Sequence, residues 1–158
     1  MFAGVDRIIH AGDVGGGKVL EALSKIAPVD AVFGNVDDPR DPMLARERTV
    51  EVGGIAIHVS HGHEFSRPTP ELLLARYRGD VLVYGHTHRA LVVWGTGARR
   101  NTLVVNPGAA GPRRFDIQPS VARLTIANGK VDVKPIWLAS APAPCSSERD
   151  LEAARSVT

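Results

Sequence analysis

Short apolar runs rich in β-branched residues recur along the chain, and most are bounded by glycine, proline, asparagine or aspartate. This pattern is typical of short buried strands joined by tight turns. Residues 18–26 and 72–77 instead carry apolar side chains at the spacing of a helix face, the second segment behind the helix start signal Thr69-Pro70-Glu71. The predicted strands are residues 7–11, 29–33, 49–52, 55–59, 81–84, 91–94, 102–105, 121–127 and 131–137.

The order of these elements predicts an α/β fold. Strand, helix and strand follow one another over residues 7–33, which is the order of a βαβ unit with parallel strands. Gly53-Gly54 and Asn128-Gly129 each separate two apolar runs and predict hairpins. We expect the second half of the chain to be mostly antiparallel.

The length and composition favour one soluble domain. With 158 residues the chain can build a single core, which we place at residues 1–138, before a flexible tail at residues 139–158. A formal charge of +2 without a long basic block argues against nucleic acid as an obligate partner. A single cysteine (Cys145), no signal peptide and no run near the ~20 apolar residues of a membrane span indicate a cytoplasmic protein without a membrane partner.

Side chains that can bind metal ions follow four of the predicted strands. Two His-x-His pairs, His61-Gly62-His63 and His86-Thr87-His88, come directly after apolar runs, and Gly12-Asp13 and Gly34-Asn35 end two others. Carboxylate, amide and imidazole groups suit Mn, Fe, Zn or Ni, whereas one cysteine cannot form a thiolate site. The sequence therefore predicts a divalent-metal site where strand ends meet.

The ordered series of motifs resembles the calcineurin-like metallophosphoesterase superfamily, in particular its small bacterial YfcE-type phosphodiesterases. The resemblance runs from about residue 4 to residue 137 and implies a four-layer αββα fold, with two packed mixed β-sheets flanked by helices and a pair of divalent ions at the strand ends. The motifs are Gly12-Asp13, Gly34-Asn35-Val36-Asp37, His61-Gly62-His63, Gly85-His86-Thr87-His88 and Asn106-Pro107-Gly108.

The resemblance also implies the metal ligands. Asp13 would bridge the two ions, and His88 would belong to the second site. Asn35, His61 and His86 would complete the first site. We expect Mn²⁺, with Zn²⁺, Fe²⁺, Ni²⁺ or Mg²⁺ as alternatives.

Three further residues are candidates for the chemistry. His63 either faces the substrate or supports a ligand. Asp37 either orients a histidine or a metal-bound water, or begins a turn. Arg113 either steers an anionic substrate or is an ordinary loop arginine.

One motif of the family is missing. Its first motif is Asp-x-His at the end of a first strand, and it supplies two ligands of the site to which His88 would belong. The residues before Asp13 offer only Asp6 and His10, and on a regular strand His10 would point away from Asp13. We therefore do not accept His10 as a substitute, and we expect one metal ion rather than two and a fold that lacks its first strand and helix.

Two explanations of this loss are open. Met1 is a misassigned start or a truncation, and an upstream segment restores the motif; we prefer this explanation, because a strand lost from inside a sheet leaves backbone groups unpaired. Alternatively, the chain is a reduced form that binds one ion or serves as a scaffold, like the phosphoesterase-like subunit of retromer.

The expected function is hydrolysis of a small phosphodiester or phosphomonoester by a metal-bound hydroxide, with a homo-oligomer left open. The alternative is a catalytically weak or inactive single-metal scaffold or interaction module. A zinc peptidase or deaminase is disfavoured, because neither His-Glu-x-x-His nor a paired-cysteine signature is present.

Overall fold

The structure is a computed structural model that describes residues 2–111 and 116–138. Arg113, Cys145 and the predicted tail at residues 139–158 lie outside these residues. The elements are β1 (Ile8–His10), α1 (Gly17–Ser24), β2 (Val29–Ala31), β3 (Glu47–Val52), β4 (Ile55–Ser60), α2 (Pro70–Arg76), β5 (Val81–Tyr84), β6 (Leu91–Trp94), β7 (Leu103–Asn106), β8 (Ser120–Ala127) and β9 (Lys130–Trp137), with short 3₁₀ turns at His63–Phe65 and Gly97–Arg99.

A five-stranded mixed sheet forms the centre of the fold, in the order β3-β4-β5-β7-β6. Its outer pairs are antiparallel, but β4, β5 and β7 run parallel to one another. The second half is mostly antiparallel, as expected, through the β6–β7 and β8–β9 pairs, but β7 also runs parallel to β5. Every residue of β5 and β7 is buried, and such continuously apolar runs suit central parallel strands that are covered on both faces.

The second β-layer consists of two separate pairs in the described part of the chain. β1 and β2 pair in parallel, as the βαβ order predicted, and β8 and β9 form the antiparallel hairpin predicted at Asn128-Gly129. Both pairs pack on the same apolar cluster of the five-stranded sheet, the β1–β2 pair through Ile9 and the β8–β9 pair through Leu124. This divided layer differs from the single mixed sheet that the resemblance implies.

The two helices cover the outer faces of the β-layers. α1 packs on the β1–β2 pair through Leu20, which contacts Ala31. α2 begins where predicted, with the Thr69 hydroxyl accepting from the Leu72 N–H, and it places Leu73 against the far side of the five-stranded sheet. The layers thus follow the order α, β, β, α, and the predicted four-layer architecture is confirmed.

The helices of the described part are short, the longer having 8 residues, and none is long and apolar enough to cross a membrane.

Candidate metal centre

Four loops meet at the amide oxygen of Asn35. The loops after β1, β2, β4 and β5 carry Asp13, Asn35, His61 and His86, because the carboxyl ends of these strands lie at one edge of the fold. Asn35 Oδ1 lies 3.1 Å from His61 Nε2 and 3.0 Å from His86 Nδ1. His61 Nε2 is also 3.4 Å from Asp13 Oδ1. The structure therefore brings four of the five predicted metal ligands together.

Backbone carbonyl oxygens determine which nitrogen of each imidazole faces Asn35. The Nδ1 of His61 lies 2.7 Å from the oxygen of Ala11, and the Nε2 of His86 lies 3.3 Å from that of Ser66. A carbonyl can only accept, so in the neutral imidazole each of these nitrogens carries the proton and the other nitrogen keeps its lone pair. Both lone pairs are directed at the oxygen of Asn35.

The imidazole nitrogens that face Asn35 and the oxygen of Asn35 itself are then all hydrogen-bond acceptors, with no proton between them. His61 is 2% exposed, and burial lowers the pKa of its imidazole below the ordinary value of 6.5, so a second proton on this ring is disfavoured. The opposite orientation of the Asn35 amide would offer N–H groups to both rings, but here the oxygen faces them. Two imidazole nitrogens, an amide oxygen and a carboxylate oxygen that converge in this way fit a divalent cation.

The amide is an essential member of this set. Within the described residues, His, Cys, Asp and Glu side chains alone form no group of three or more that could hold a metal ion. The oxygen of Asn35, which lies close to both His61 and His86, is what connects the donors.

The backbone is strained at three of the predicted ligands. Asp13, His86 and His88 adopt positive φ angles of 54°, 64° and 59°, which residues other than glycine rarely adopt. Strain of this kind persists only where the surroundings enforce it, and it is concentrated at functional sites.

Two glycines allow the loops to approach this closely. A Cβ atom on Gly34 would overlap the carboxylate of Asp13, and one on Gly85 would lie 2.6 Å from the oxygen of Ala11 and 3.0 Å from His61 Nδ1. Neither position has room for a side chain, so only glycine can be accommodated at either one.

Asp37 connects two ligand loops. Its carboxylate accepts hydrogen bonds from the backbone N–H groups of Val14, at 2.9 and 3.1 Å, and Gly34, at 2.8 Å. These contacts place Asp37 directly behind Asp13 and Asn35 and favour a positioning role, rather than the direct contact with a histidine or water considered from the sequence.

The remaining predicted residues lie at the rim or outside. The ring of His63 is 5.3 Å from that of His61, and its Nδ1 is buried without a hydrogen bond to the described residues. His88 likewise makes no hydrogen bond within the described ranges. Arg113 falls outside them, so its predicted contact with substrate stays a prediction.

Strand alternation does not relate His10 to Asp13, contrary to the expectation from the sequence. β1 ends at His10, and Asp13 lies beyond the strand in a left-handed conformation, so strand alternation does not relate the two side chains. Burial lowers the pKa of His10, whose ring is close enough to feel the charges of Asp37, His61 and Asp13. Its Nδ1 is buried and has no partner among the described residues.

Asn106, which the sequence analysis named only as part of a motif, supports the loop that carries His86. Asn106 is fully buried, and its Nδ2 donates to the oxygen of Gly85 at 2.8 Å and to the Thr87 hydroxyl at 3.0 Å. Its Oδ1 accepts from the N–H of Gly108 at 2.9 Å. A polar residue at the end of an apolar strand was the available signal.

Comparison with known proteins identifies the family. The calcineurin-like phosphoesterase superfamily domain matches residues 1–129, so the chain belongs to that superfamily, as its motifs indicated. A probable metallophosphoesterase of Methanothermobacter thermautotrophicus is 33% identical over 139 residues, which cover 84% of this chain and 76% of the relative. The phosphodiesterase YfcE of Escherichia coli is 42% identical over 78 residues, covering 45% of this chain and 41% of YfcE.

Solved structures share the fold. An archaeal phosphodiesterase matches with a TM-score of 0.68 at 24% identity, covering 85% of this chain and 84% of that one. Vps29 of Entamoeba histolytica, in complex with Zn²⁺, matches with a TM-score of 0.66 at 22% identity, covering 84% and 82% of the two chains. The chain therefore has the metallophosphoesterase fold.

Proposed function

We propose that this protein is a metal-dependent phosphodiesterase that acts on small phosphodiesters, with phosphomonoesters as a second substrate class. The observation that carries the proposal is the position of Asn35 Oδ1, which lies 3.1 and 3.0 Å from nitrogens of His61 and His86 whose lone pairs face it. Membership of the superfamily and the names of its relatives support phosphoester hydrolysis.

Asp13, Asn35, His61 and His86 would hold a divalent ion. When bound, such an ion neutralises phosphate charge and lowers the pKa of a coordinated water. We propose Mn²⁺ as the ion, with Zn²⁺ next, since a Vps29 of the same fold is complexed with Zn²⁺. One ion is the better-supported number, because the sequence offers Asp13 and His88 for a second site but no Asp-x-His motif.

The other residues at the site would orient the reacting groups. The ring of His63 lies 5.3 Å from that of His61, and His63 could exchange a proton with an ester oxygen of the substrate. Asp37 would keep the loops of Asp13 and Asn35 at a fixed separation through its two backbone contacts.

Hydrolysis of bis(p-nitrophenyl) phosphate with added Mn²⁺ or Zn²⁺ tests the proposal, together with the metal content of the purified protein. We expect metal-dependent release of p-nitrophenol, and Asp13→Asn should reduce both the rate and the metal content, the rate on the order of 100-fold or more. Asp132→Asn, an exposed carboxylate on β9, is the matched control. An inert wild type with every ion, or an Asp13→Asn variant that keeps its metal and rate, would overturn the proposal.

A second candidate is a single-metal scaffold without catalysis. The likeness to Vps29 favours it. Wild-type protein that binds one ion tightly but hydrolyses neither a phosphodiester nor a phosphomonoester would establish this alternative.

We further propose a cytoplasmic location, since the sequence contains a single cysteine. Light scattering would decide between a monomer and the homo-oligomer.

A further inference from the structure

A cavity of about 210 Å³ opens beside the candidate metal centre, and five side chains line it: Phe33, Arg46, His63, Glu64 and Tyr77. The ring of His63 belongs to both places, since it lies 5.3 Å from the ring of His61 and 6.1 Å from that of Phe33. A phosphoester held at the metal centre would therefore extend one of its groups past His63 into this cavity.

The aromatic walls of the cavity are held in place. The ring of Tyr77 stacks on His58 at 4.2 Å, and its hydroxyl donates a short hydrogen bond to the carboxylate of Glu64. The backbone N–H of Phe33 donates to the oxygen of Ala45 at 2.8 Å, and the ring of Phe33 lies 6.1 Å from that of His63. Tyr77 is buried, so the half-buried Phe33 is the aromatic ring that can contact a planar group of the ligand.

The charges of the cavity favour an uncharged group. Arg46 contributes one positive charge and makes no ion pair with the described residues, while Glu64 contributes one negative charge that already accepts from Tyr77. The walls therefore carry no net charge to attract a second phosphate, but the guanidinium can donate to a carbonyl or ring nitrogen. A volume below the ~300 Å³ of drug-sized sites fits a single small ring.

We propose that this cavity is a subsite for one ester group of the substrate, and that the preferred substrates are phosphodiesters carrying an uncharged aromatic or heterocyclic ring. The proposal rests on the proposed function, because it assumes that the phosphate lies at the metal centre. It assigns Phe33 to stacking and Arg46 to a hydrogen bond with the ring substituent.

Binding of methylphosphinate analogues, in which a CH₂ group replaces the ester oxygen so that no P–O–C bond remains to be cleaved, tests the subsite separately from catalysis. Each analogue is called here by the ester that it mimics. Titration calorimetry with Mn²⁺-loaded protein compares the phenyl ester with the cyclohexyl ester, and adds a nucleoside ester to distinguish simple aryl groups from nucleobases. We expect the phenyl ester to bind about fivefold more tightly than the cyclohexyl ester. Phe33→Leu should remove this preference while keeping an apolar wall.

The contribution of Arg46 needs an ester with an acceptor. Arg46→Gln should weaken binding of the p-nitrophenyl ester but not of the phenyl ester, and Arg100→Gln, an exposed arginine beyond the Gly97–Arg99 turn, is the matched control. Equal affinities for phenyl and cyclohexyl esters, or a phenyl preference that survives Phe33→Leu in a folded variant, would overturn the subsite. Wild-type protein that prefers the phenyl ester but shows no metal-dependent hydrolysis would overturn the proposed function and not the subsite.

Discussion

The Nδ1–H of His61 donates to the carbonyl oxygen of Ala11 across 2.7 Å, and this bond joins the loop after β4 to the end of β1. It fixes both the tautomer and the direction of the ring, so that Nε2 faces Asn35 and Asp13. The ligand set thus depends on a backbone atom fifty positions away in the chain.

Gly85→Ala should disturb this bond directly. A Cβ at position 85 would lie 2.6 Å from the oxygen of Ala11, so the carbonyl or the ring of His61 must move. Groups that orient metal ligands typically contribute 10- to 100-fold to affinity, and we expect a loss of about that size for Mn²⁺ in titration calorimetry.

Gly17→Ala is the control for this substitution. Nothing lies within 4 Å of a Cβ at Gly17, the first residue of α1, so metal affinity should not change. Equal Mn²⁺ affinity for Gly85→Ala and wild type would show that the contact between Ala11 and His61 does not position the ligand.

Asp37→Asn should separate a positioning role from a catalytic one. The amide would keep one acceptor and turn an N–H group toward a backbone donor, Val14 or Gly34, so we expect the free energy of unfolding to fall by about 1–2 kcal/mol. The pH profile of kcat should keep its shape. Urea denaturation measures the unfolding free energy, and Asp6→Asn, a change at an exposed carboxylate, is the control. If Asp37→Asn instead removes one limb of the pH profile of kcat and leaves stability unchanged, Asp37 has a catalytic role.

Asn106→Ala should loosen the loop that carries His86. The substitution leaves the oxygen of Gly85 without its 2.8 Å hydrogen bond inside the protein, and we expect about 2–3 kcal/mol lower unfolding free energy with weaker Mn²⁺ binding. Asn101→Ala, at an exposed position, should stay within about 0.5 kcal/mol of wild type. Unchanged Mn²⁺ affinity in a destabilised Asn106→Ala variant would limit Asn106 to a role in folding.

Much of the fold was predictable because local patterns determine it. Apolar runs located the strands, and the signals at Thr69 and Asn128-Gly129 located a helix start and a hairpin. The parallel pairing of β7 with β5 was not predicted, because pairing depends on which strand the chain returns to. Only the continuous burial of β7 indicated a central parallel position.

The candidate site was predictable in its residue types but not in its supports. Asp13 and His61 were recognisable because ligand residues directly follow strands. The contacts of Asp37 with Val14, 23 positions away, and of Asn106 with Gly85 arise only when loops meet, so no local pattern encodes them. The left-handed backbone of Asp13 also removed the basis for excluding His10, three residues earlier in the sequence, as a metal ligand.

The stability of the metal-free protein should fall as the pH drops below neutrality, partly through His58. Burial lowers the pKa of this imidazole below its ordinary 6.5, against weaker opposing effects of Glu47 and Glu64. The unfolded chain therefore binds a proton more readily, so the contribution of His58 is complete above about pH 6.5 and is lost as the pH falls through the lower folded-state pKa. Urea denaturation with a chelator present, from about pH 7.5 to about pH 5, should show this decline in unfolding free energy. The dependence of the unfolding free energy on pH should be shallower for His58→Gln, whose side chain can still bond the Thr49 hydroxyl. Burial lowers the pKa of His61 in the same sense, so part of the slope should remain. Stability that rises on acidification, or identical slopes for the two proteins, would contradict the assignment to His58.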